Sequence, residues 1–218
     1  MFNKNQNIVI CYPSGGGGHL IGILCNMLLG GPGVLPDKNG SMHNVSAITH
    51  RVLHVESELP QDEVIQNKMP DCNITIGHFT NVKLLKEVGK KVIYITFVPE
   101  DIDEIARRAN KKTSVDLKDK ATYTLLAGKD WPSYSEFCAG KSILTGEVTN
   151  DGQWKVGKIH YLDWGYTVPE DKSNTLEIAF DEINNSDCLV DKIANFMCVE
   201  QYDKNKIMNT LQTYRSCQ

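Results

Sequence analysis

The residues best suited to chemistry near the start of the chain are four consecutive glycines, 15–18, with Ser14 before them and His19 after them. An apolar run over 8–12 predicts a buried strand before the glycines, and an apolar segment over about 19–29 predicts a helix after them. Glycine allows positive φ angles and close approach of a ligand to the backbone, and a helix N-terminus favours negative charge. The stretch therefore predicts a loop that binds phosphate or sulfate, with a tight turn that binds nothing as the alternative.

The spacing of this loop excludes two common nucleotide-binding motifs. The pattern G-x-x-x-x-G-K-[ST] needs a glycine where this chain has Leu20, and no lysine follows. The pattern G-x-G-x-x-G needs a glycine at the same place. A hydrolase acting on the γ-phosphate of a nucleotide is therefore disfavoured.

His78 is the best candidate for a catalytic side chain. It follows residues 73–77, whose pattern predicts a second strand. Because carboxyl ends of parallel strands line the ligand crevice of an α/β sheet, we expect His78 beside the glycine loop. An imidazole with a pKa near 6.5 can accept the proton of an attacking hydroxyl. The alternative is a structural bond from His78 to nearby backbone.

Arg107 and Arg108 lie near the end of a helix predicted over about 99–110. They could contact a phosphate, and a solvated helix end with a favourable dipole interaction is the simpler interpretation.

His50 and His54 would share one face of a helix predicted over 45–57. With His43 nearby a metal site is conceivable, but no acidic or cysteine ligand of matching spacing accompanies them. We therefore favour a surface pair or contacts with a substrate, and expect no metal.

Strand-like and helix-like segments alternate along the chain. Strands are predicted over 8–12, 73–77, 91–97 and 175–180, with short β-like pieces near 142–148 and 154–161. Helices are predicted over 19–29, 45–57, 61–68, 81–88, 99–110, 187–197 and 203–214. This alternation predicts an α/β fold with a mostly parallel sheet and helices on both faces. We expect a single domain over 1–218, in which 113–170, an aromatic-rich stretch with all three tryptophans, is an insertion or lid.

Composition narrows the class of partner. A net charge of −4 argues against a dedicated nucleic-acid-binding protein. No apolar run approaches the roughly 20 residues that span a bilayer, so no membrane partner is expected. The seven cysteines are scattered without a C-x-x-C pair, which is typical of free thiols in a cytoplasmic protein.

Taken in order, these segments resemble the sulfotransferase family of the P-loop fold. Residues 13–20 are similar to the family's loop, and Ile76-Gly77-His78 is similar to the family's strand that ends in a histidine. Residues 94–101 are similar to a later strand motif of the family, and residues 192–197 are similar to one of its helical segments. The glycine-rich loop also looks like that of sulfotransferase-like proteins encoded by marine phages and large viruses.

The resemblance implies a P-loop NTPase-like three-layer α/β/α fold. It implies transfer of a sulfuryl group from phosphoadenosine phosphosulfate (PAPS) to a hydroxyl or amine of a small molecule or glycan. In this interpretation His78 and Ser14 act in the catalytic step, and the co-substrate is bound by Gly15, Gly16, Gly17, Gly18, His19, Arg107 and Arg108. The protein would act in the cytoplasm, or the host cytoplasm if it is viral, and assembly as a homodimer is left open.

Two residues leave other hypotheses open. Ser14 stands where the family has a loop lysine, and Phe97 where it has an arginine for the 3′-phosphate of the donor. One alternative is a nucleotide-dependent kinase of the same fold, which the missing lysine disfavours. The other is a binding or virion-associated protein that has lost the chemistry, which both substitutions favour.

Overall fold

The computed structural model describes residues 7–13, 15–36, 52–55, 61–67, 73–101, 104–105, 108 and 166–218, and the backbone of strands at 143–148 and 154–159. The described strands are β1 (Ile8–Cys11), β2 (Val52–Val55), β3 (Ile74–Gly77), β4 (Lys91–Thr96), β5 (Ile143–Val148), β6 (Trp154–Ile159) and β7 (Thr175–Ala179). The described helices are α1 (Gly18–Leu28), α2 (Gln61–Asn67), α3 (Val82–Glu87), α4 (Phe180–Asn185), α5 (Leu189–Met197) and α6 (Lys204–Ser216).

The chain divides into two units. The first comprises Met1–Pro13, Gly17–Thr96 and Gly165–Gln218, and the second comprises Ser14–Gly16 and Phe97–Trp164. In the second unit β5 and β6 form an antiparallel pair, Pro99–Asp101 form a 3-10 turn, and Arg108 forms a salt bridge with Glu104. Most of the predicted insertion lies outside the described residues.

The first unit is built on a five-stranded parallel sheet with the order β2-β3-β1-β4-β7. The chain leaves β1 toward one edge of the sheet, returns through β3, and then crosses to β4 on the other side of β1. The carboxyl end of β1 is therefore the point where the winding direction changes, which is where open α/β sheets form a ligand crevice.

The two faces of this sheet are covered by different helices. On one face α1 packs so closely that a Cβ added to Gly22 would lie 3.1 Å from the Cγ2 of Ile76 and 3.8 Å from the Cδ1 of Ile10. On the other face Val9 and Cys11 join an apolar cluster with residues of α2 and α3. Alternation along β1 places these two sets on opposite faces. The α/β prediction is confirmed, and the arrangement is compatible with three layers.

Most predicted elements are confirmed to within a few residues, and one is wrong where the structure describes it. The predicted helix over 45–57 is instead a strand at Val52–Val55, which pairs in parallel with Ile74–Gly77. Two β-branched valines and pairing with a central strand outweigh the helical spacing. The helix α4 was not predicted. It starts directly after β7, where the carboxylate of Glu182 accepts the N–H of Ala179 at 2.8 Å.

Among the described residues, no helix combines the length and apolar character needed to span a membrane.

Candidate functional site

Four ring-bearing side chains meet at the carboxyl edge of the sheet in the first unit. Tyr12 follows β1, His54 is the third residue of β2, His78 follows β3, and His19 lies in the first turn of α1. The ring centroids are separated by 4.7 Å for Tyr12 and His78, 4.9 Å for His19 and His54, and 6.1 Å for His54 and His78. We call these four residues the histidine–tyrosine cluster.

The ring of Tyr12 lies against the start of α1. A Cβ added to Gly18 would be 2.1 Å from two atoms of this ring, so only glycine lets the helix begin this close to β1. Tyr12 is only 3% exposed. Its hydroxyl lies 3.1 Å from the Nδ1 of His19 and 3.3 Å from the Nε2 of His54, within hydrogen-bond distance of both. Tyr12 therefore joins β1, β2 and α1 at this edge.

The half-buried His78 is held in one tautomer by the backbone. Its Nδ1 lies 2.8 Å from the carbonyl oxygen of Tyr12. Because a carbonyl oxygen only accepts hydrogen bonds, Nδ1 must carry the proton and donate it. The neutral ring then has its lone pair on Nε2, which is the atom that can accept a proton. The structural bond that the sequence allowed as an alternative is thus present, and it leaves the ring in the form a general base requires.

The loop that carries His78 is fixed by Gln61, the first residue of α2. The side-chain amide of Gln61 donates to the carbonyl oxygen of His78 at 2.9 Å, and its oxygen accepts the N–H of Thr80 at 2.9 Å. Next to it, the side chain of Asn81 caps α3 by accepting the N–H of Leu84 at 3.0 Å. Gln61 was not predicted, because nothing in a short polar helix indicates which distant backbone groups its side chain reaches.

The glycine run adopts the conformation for which glycine is suited. Gly15 and Gly17 both have a φ of 82°. Gly17 is the N-cap of α1 and provides no side-chain cap, and the N–H groups of the first turn have no acceptor within the helix. The structure thus brings Gly17, Gly18 and His19 to the same sheet edge as His78.

The other predicted site residues are not brought to this edge by the described structure of the first unit. Gly15 and Gly16 belong to the second unit, as does Arg108, whose Nε donates to Glu104 at 2.7 Å. Ser14 and Arg107 lie outside the described residues. Their roles in binding or catalysis stay predictions.

Four of the elements around the cluster carry no charged side chain. The described residues of β1, α1, β2 and β3 include no Asp, Glu, Lys or Arg. Two buried thiols lie on these elements, and burial raises the pKa of Cys25 to about 12 and that of Cys11 further still. Both are neutral and unsuited to act as nucleophiles at neutral pH. Of the three imidazoles, His19 lies on α1, His54 lies on β2, and His78 directly follows β3.

On the other side of β1 a second tyrosine, Tyr166, bonds to the carboxyl ends of two strands. The hydroxyl of Tyr166 lies 3.0 Å from the carbonyl oxygen of Ile95 and 3.3 Å from that of Cys11, so it spans the ends of β4 and β1. Its ring packs against the ring of Tyr94 at 5.3 Å. Tyr166 therefore packs between the ends of these two strands.

The interpretation of His50 and His54 as a pair on one helix face is wrong, because His54 lies on β2 and bonds to Tyr12. His50 and His43 lie outside the described residues. Within the described part of the chain, no group of three or more His, Cys, Asp or Glu side chains is arranged to hold a metal ion.

Comparison with known proteins finds no family model that matches this chain and no curated protein that is similar to it.

Proposed function

We propose that the protein transfers a sulfuryl group from PAPS to a hydroxyl or amine of a small molecule or glycan in the cytoplasm, and that its fold is P-loop NTPase-like. The observation that carries this proposal is the bond from Nδ1 of His78 to the carbonyl oxygen of Tyr12 at 2.8 Å, at the same sheet edge as the start of α1. It supplies a base of defined tautomer next to a helix terminus suited to an anion.

In this proposal His78 acts on the acceptor. As the acceptor oxygen forms its bond to sulfur, Nε2 of His78 takes the hydroxyl proton. The bond from sulfur to the bridging oxygen of the donor breaks, and that oxygen leaves with the electron pair as part of adenosine 3′,5′-bisphosphate. General-base assistance of this kind typically contributes about 10²–10⁴-fold to the rate.

The amides of Gly17, Gly18 and His19 are suited to the sulfuryl oxygens. Negative charge is spread over these oxygens in the transition state, and backbone N–H groups with fixed orientation stabilise such charge without reorganising. Gly17, the N-cap of α1, has a φ of 82° and no side chain that could compete with an anion for the N–H groups of the first turn.

Binding without transfer is the second candidate. It is favoured by the lack of lysine and arginine among the described residues of β1, α1, β2 and β3, since such side chains usually stabilise the leaving group. The same elements lack a carboxylate for magnesium, which disfavours the kinase alternative for this part of the chain.

Calorimetric titration separates these candidates. Adenosine 3′,5′-bisphosphate, PAPS, ATP, and ATP with magnesium are each added to the protein, and transfer from labelled PAPS to a panel of hydroxyl and amine acceptors is measured in parallel. The proposal predicts binding of the bisphosphate and transfer to at least one acceptor class. Bisphosphate binding without transfer supports the binding protein, and magnesium-dependent ATP binding alone supports the kinase.

The variants His78→Ala and His78→Gln test the base. Glutamine can keep a donor toward the carbonyl of Tyr12 but cannot take the proton. Both variants are expected to bind the bisphosphate like the wild type and to lose turnover by about 10²–10⁴-fold. Restoration of turnover in His78→Gln would show that His78 is needed only to hold the backbone.

A further inference from the structure

The chain returns to the first unit at Gly165, and the residues that follow, 166–168, form a short segment that we call the strap. Both ends of the strap are anchored. The hydroxyl of Tyr166 lies within hydrogen-bond distance of carbonyl oxygens at the ends of β1 and β4, and Val168 packs against the apolar cluster on this face of the sheet. The backbone of Thr167, between these two residues, is therefore held in place while its side chain is exposed.

The backbone of Thr167 bonds twice to the segment that follows His78. Its N–H donates to the carbonyl oxygen of Thr80 at 2.9 Å, and its carbonyl oxygen accepts the N–H of Lys83 at 2.9 Å. Lys83 lies in the first turn of α3, where backbone N–H groups have no acceptor within the helix. The strap thus satisfies the start of α3 and fixes the residue two positions after His78.

Gln61 holds the same residue from the side of α2. Its side-chain oxygen accepts the N–H of Thr80 at 2.9 Å and the hydroxyl of Thr80 at 3.0 Å. Its side-chain amide donates to the carbonyl oxygen of His78 at 2.9 Å. Thr80 therefore bonds to the strap through its carbonyl oxygen and to Gln61 through its N–H, and the hydrogen bonds form an unbroken series from the strap to His78.

The bonds of this series lie at the surface of the first unit. Thr167 and Gln61 are exposed, and Thr80 is half-buried. Segments that are held by exposed hydrogen bonds open at a lower free energy than the whole fold, and they open in cooperative groups. Because each bond orients the residue that makes the next one, loss of one bond weakens the others in the series.

We infer that the strap positions His78. The strap, residues 78–81 and the start of α2 open and close as one unit, and only the closed form keeps Nδ1 of the imidazole against the carbonyl oxygen of Tyr12. Thr167 acts through its backbone and is a positioning residue. The effect on the ring of His78 stands on these bonds alone, whereas an effect on turnover rests on the proposed function.

The first test is amide hydrogen exchange of the full chain, measured by NMR. In the wild type the amides of Thr80, Lys83 and Thr167 should have protection factors that agree within about threefold, because these amides open together. Gln61→Ala, at an exposed position, should speed exchange at Lys83 and Thr167 by about fivefold to tenfold, the equivalent of one lost hydrogen bond. Both amides donate to backbone carbonyl oxygens rather than to Gln61, so faster exchange there would report the shared opening.

The second test reads His78 directly. Thr167→Pro removes the N–H that donates to Thr80, and the matched control Thr167→Ala keeps it. In the proline variant the nitrogen-15 signals of the His78 ring should move away from those of the tautomer protonated at Nδ1, and the control should keep the wild-type signals. When Gln61→Ala is already present, Thr167→Pro should move the ring signals no further, because the series is already broken.

Independent exchange of the three amides in the wild type would overturn the inference, and so would unchanged exchange at Thr167 in Gln61→Ala. Equal movement of the His78 signals in the proline variant and its alanine control would also overturn it. If Thr167→Pro does not fold, the two exchange measurements decide.

The inference and the proposed function can fail separately. Shared exchange and a displaced His78 ring without turnover of PAPS leave the inference standing and remove the transferase. Turnover of PAPS by a protein whose three amides exchange independently does the reverse.

Discussion

Two tyrosines at the same sheet edge make their hydrogen bonds to different kinds of partner. Tyr166 directs its hydroxyl to the carbonyl oxygens of Cys11 and Ile95, which cannot change their protonation. Tyr12 directs its hydroxyl to nitrogens of His19 and His54, which can. Both rings are packed, and both hydroxyls join separate elements of the sheet.

The difference shows that a buried tyrosine is not by itself a sign of function. What decides is whether its partners titrate or react. On the Tyr166 side, the tyrosine hydroxyl bonds to backbone carbonyl oxygens at the ends of β1 and β4, and apolar side chains cover these strands. This side therefore stabilises the fold. On the Tyr12 side three imidazoles replace the apolar cover, and the start of α1 lies against the tyrosine ring. Five variants, compared in four experiments, test this contrast.

The largest effect on stability is expected from Gly18→Ala, which disturbs the packing on the Tyr12 side. The added Cβ would lie 2.1 Å from the ring of Tyr12, so the ring or the start of α1 must move, at a cost of about 2 kcal/mol in the free energy of unfolding. The control is Gly22→Ala on the same helix, where the nearest atom is 3.1 Å away and the better helix propensity of alanine offsets the crowding. Urea unfolding of both variants measures the difference, and equal stabilities would contradict the packing described.

The next largest effect is expected at Tyr94, which packs on Tyr166 on the apolar side of β1. Burial and a 2.9 Å hydrogen bond to Glu177 raise the pKa of Tyr94 to about 12, whereas an unfolded tyrosine ionises near pH 10. The contribution of Tyr94 is therefore complete below about pH 10 and is lost as the pH rises toward 12.

Tyr94→Phe should cost about 1 kcal/mol at pH 8, the usual contribution of one hydrogen bond. Because the wild type loses its own Tyr94 contribution in alkali, the stabilities of the two proteins should converge toward pH 12. Thermal unfolding between pH 8 and pH 12 measures this, and a constant difference over that range would contradict the assigned cause.

Tyr166→Phe and Tyr12→Phe compare the two tyrosines directly. Each removes one hydroxyl and should cost about 1 kcal/mol at neutral pH. Only Tyr12→Phe should change the nitrogen-15 NMR signals of the rings of His19 and His54, because only Tyr12 bonds to imidazoles. A change of the same size in Tyr166→Phe would remove the contrast between the two sides.

The smallest effect on stability is expected from Gln61→Ala, at about 0.5 kcal/mol, since Gln61 is exposed. Loss of its bonds to His78 and Thr80 should nevertheless lower kcat several-fold, because the loop no longer fixes the imidazole. The control is Asn81→Ala, which removes the cap of α3 and should cost more stability but less kcat. A larger loss of kcat in the control would show that Gln61 does not position His78.

The parts of the fold predicted from the sequence are those that local pattern determines. The cores of β1 and β4 are continuous apolar runs, β3 is a short stretch rich in β-branched residues, and Gly17 and Gly18 indicate a turn into a helix. The strand β2 could not be predicted in this way, because its four residues gain their conformation from pairing with β3.

The same distinction between local and long-range signals applies to the candidate site. His78 was predicted because it ends a recognisable strand, and His19 because it opens the helix after the glycines. The bond between Tyr12 and His54 joins residues 42 positions apart, and no local spacing encodes it. No local pattern distinguishes Tyr12, which lies between imidazoles, from Tyr166, which lies between carbonyl oxygens. In the sequence both are aromatic residues near apolar segments.

The central claim is that a sulfated or phosphorylated ligand binds at the first turn of α1, beside the three imidazoles of this sheet edge. The most direct test is nitrogen-15 NMR of the histidine rings in the wild-type protein, titrated with adenosine 3′,5′-bisphosphate. The account predicts that His78 in the protein without ligand shows the tautomer protonated at Nδ1. It also predicts that the ring signals of His19, His54 and His78 shift together as the protein becomes saturated with ligand. Saturable binding that leaves all three ring signals unchanged would contradict it.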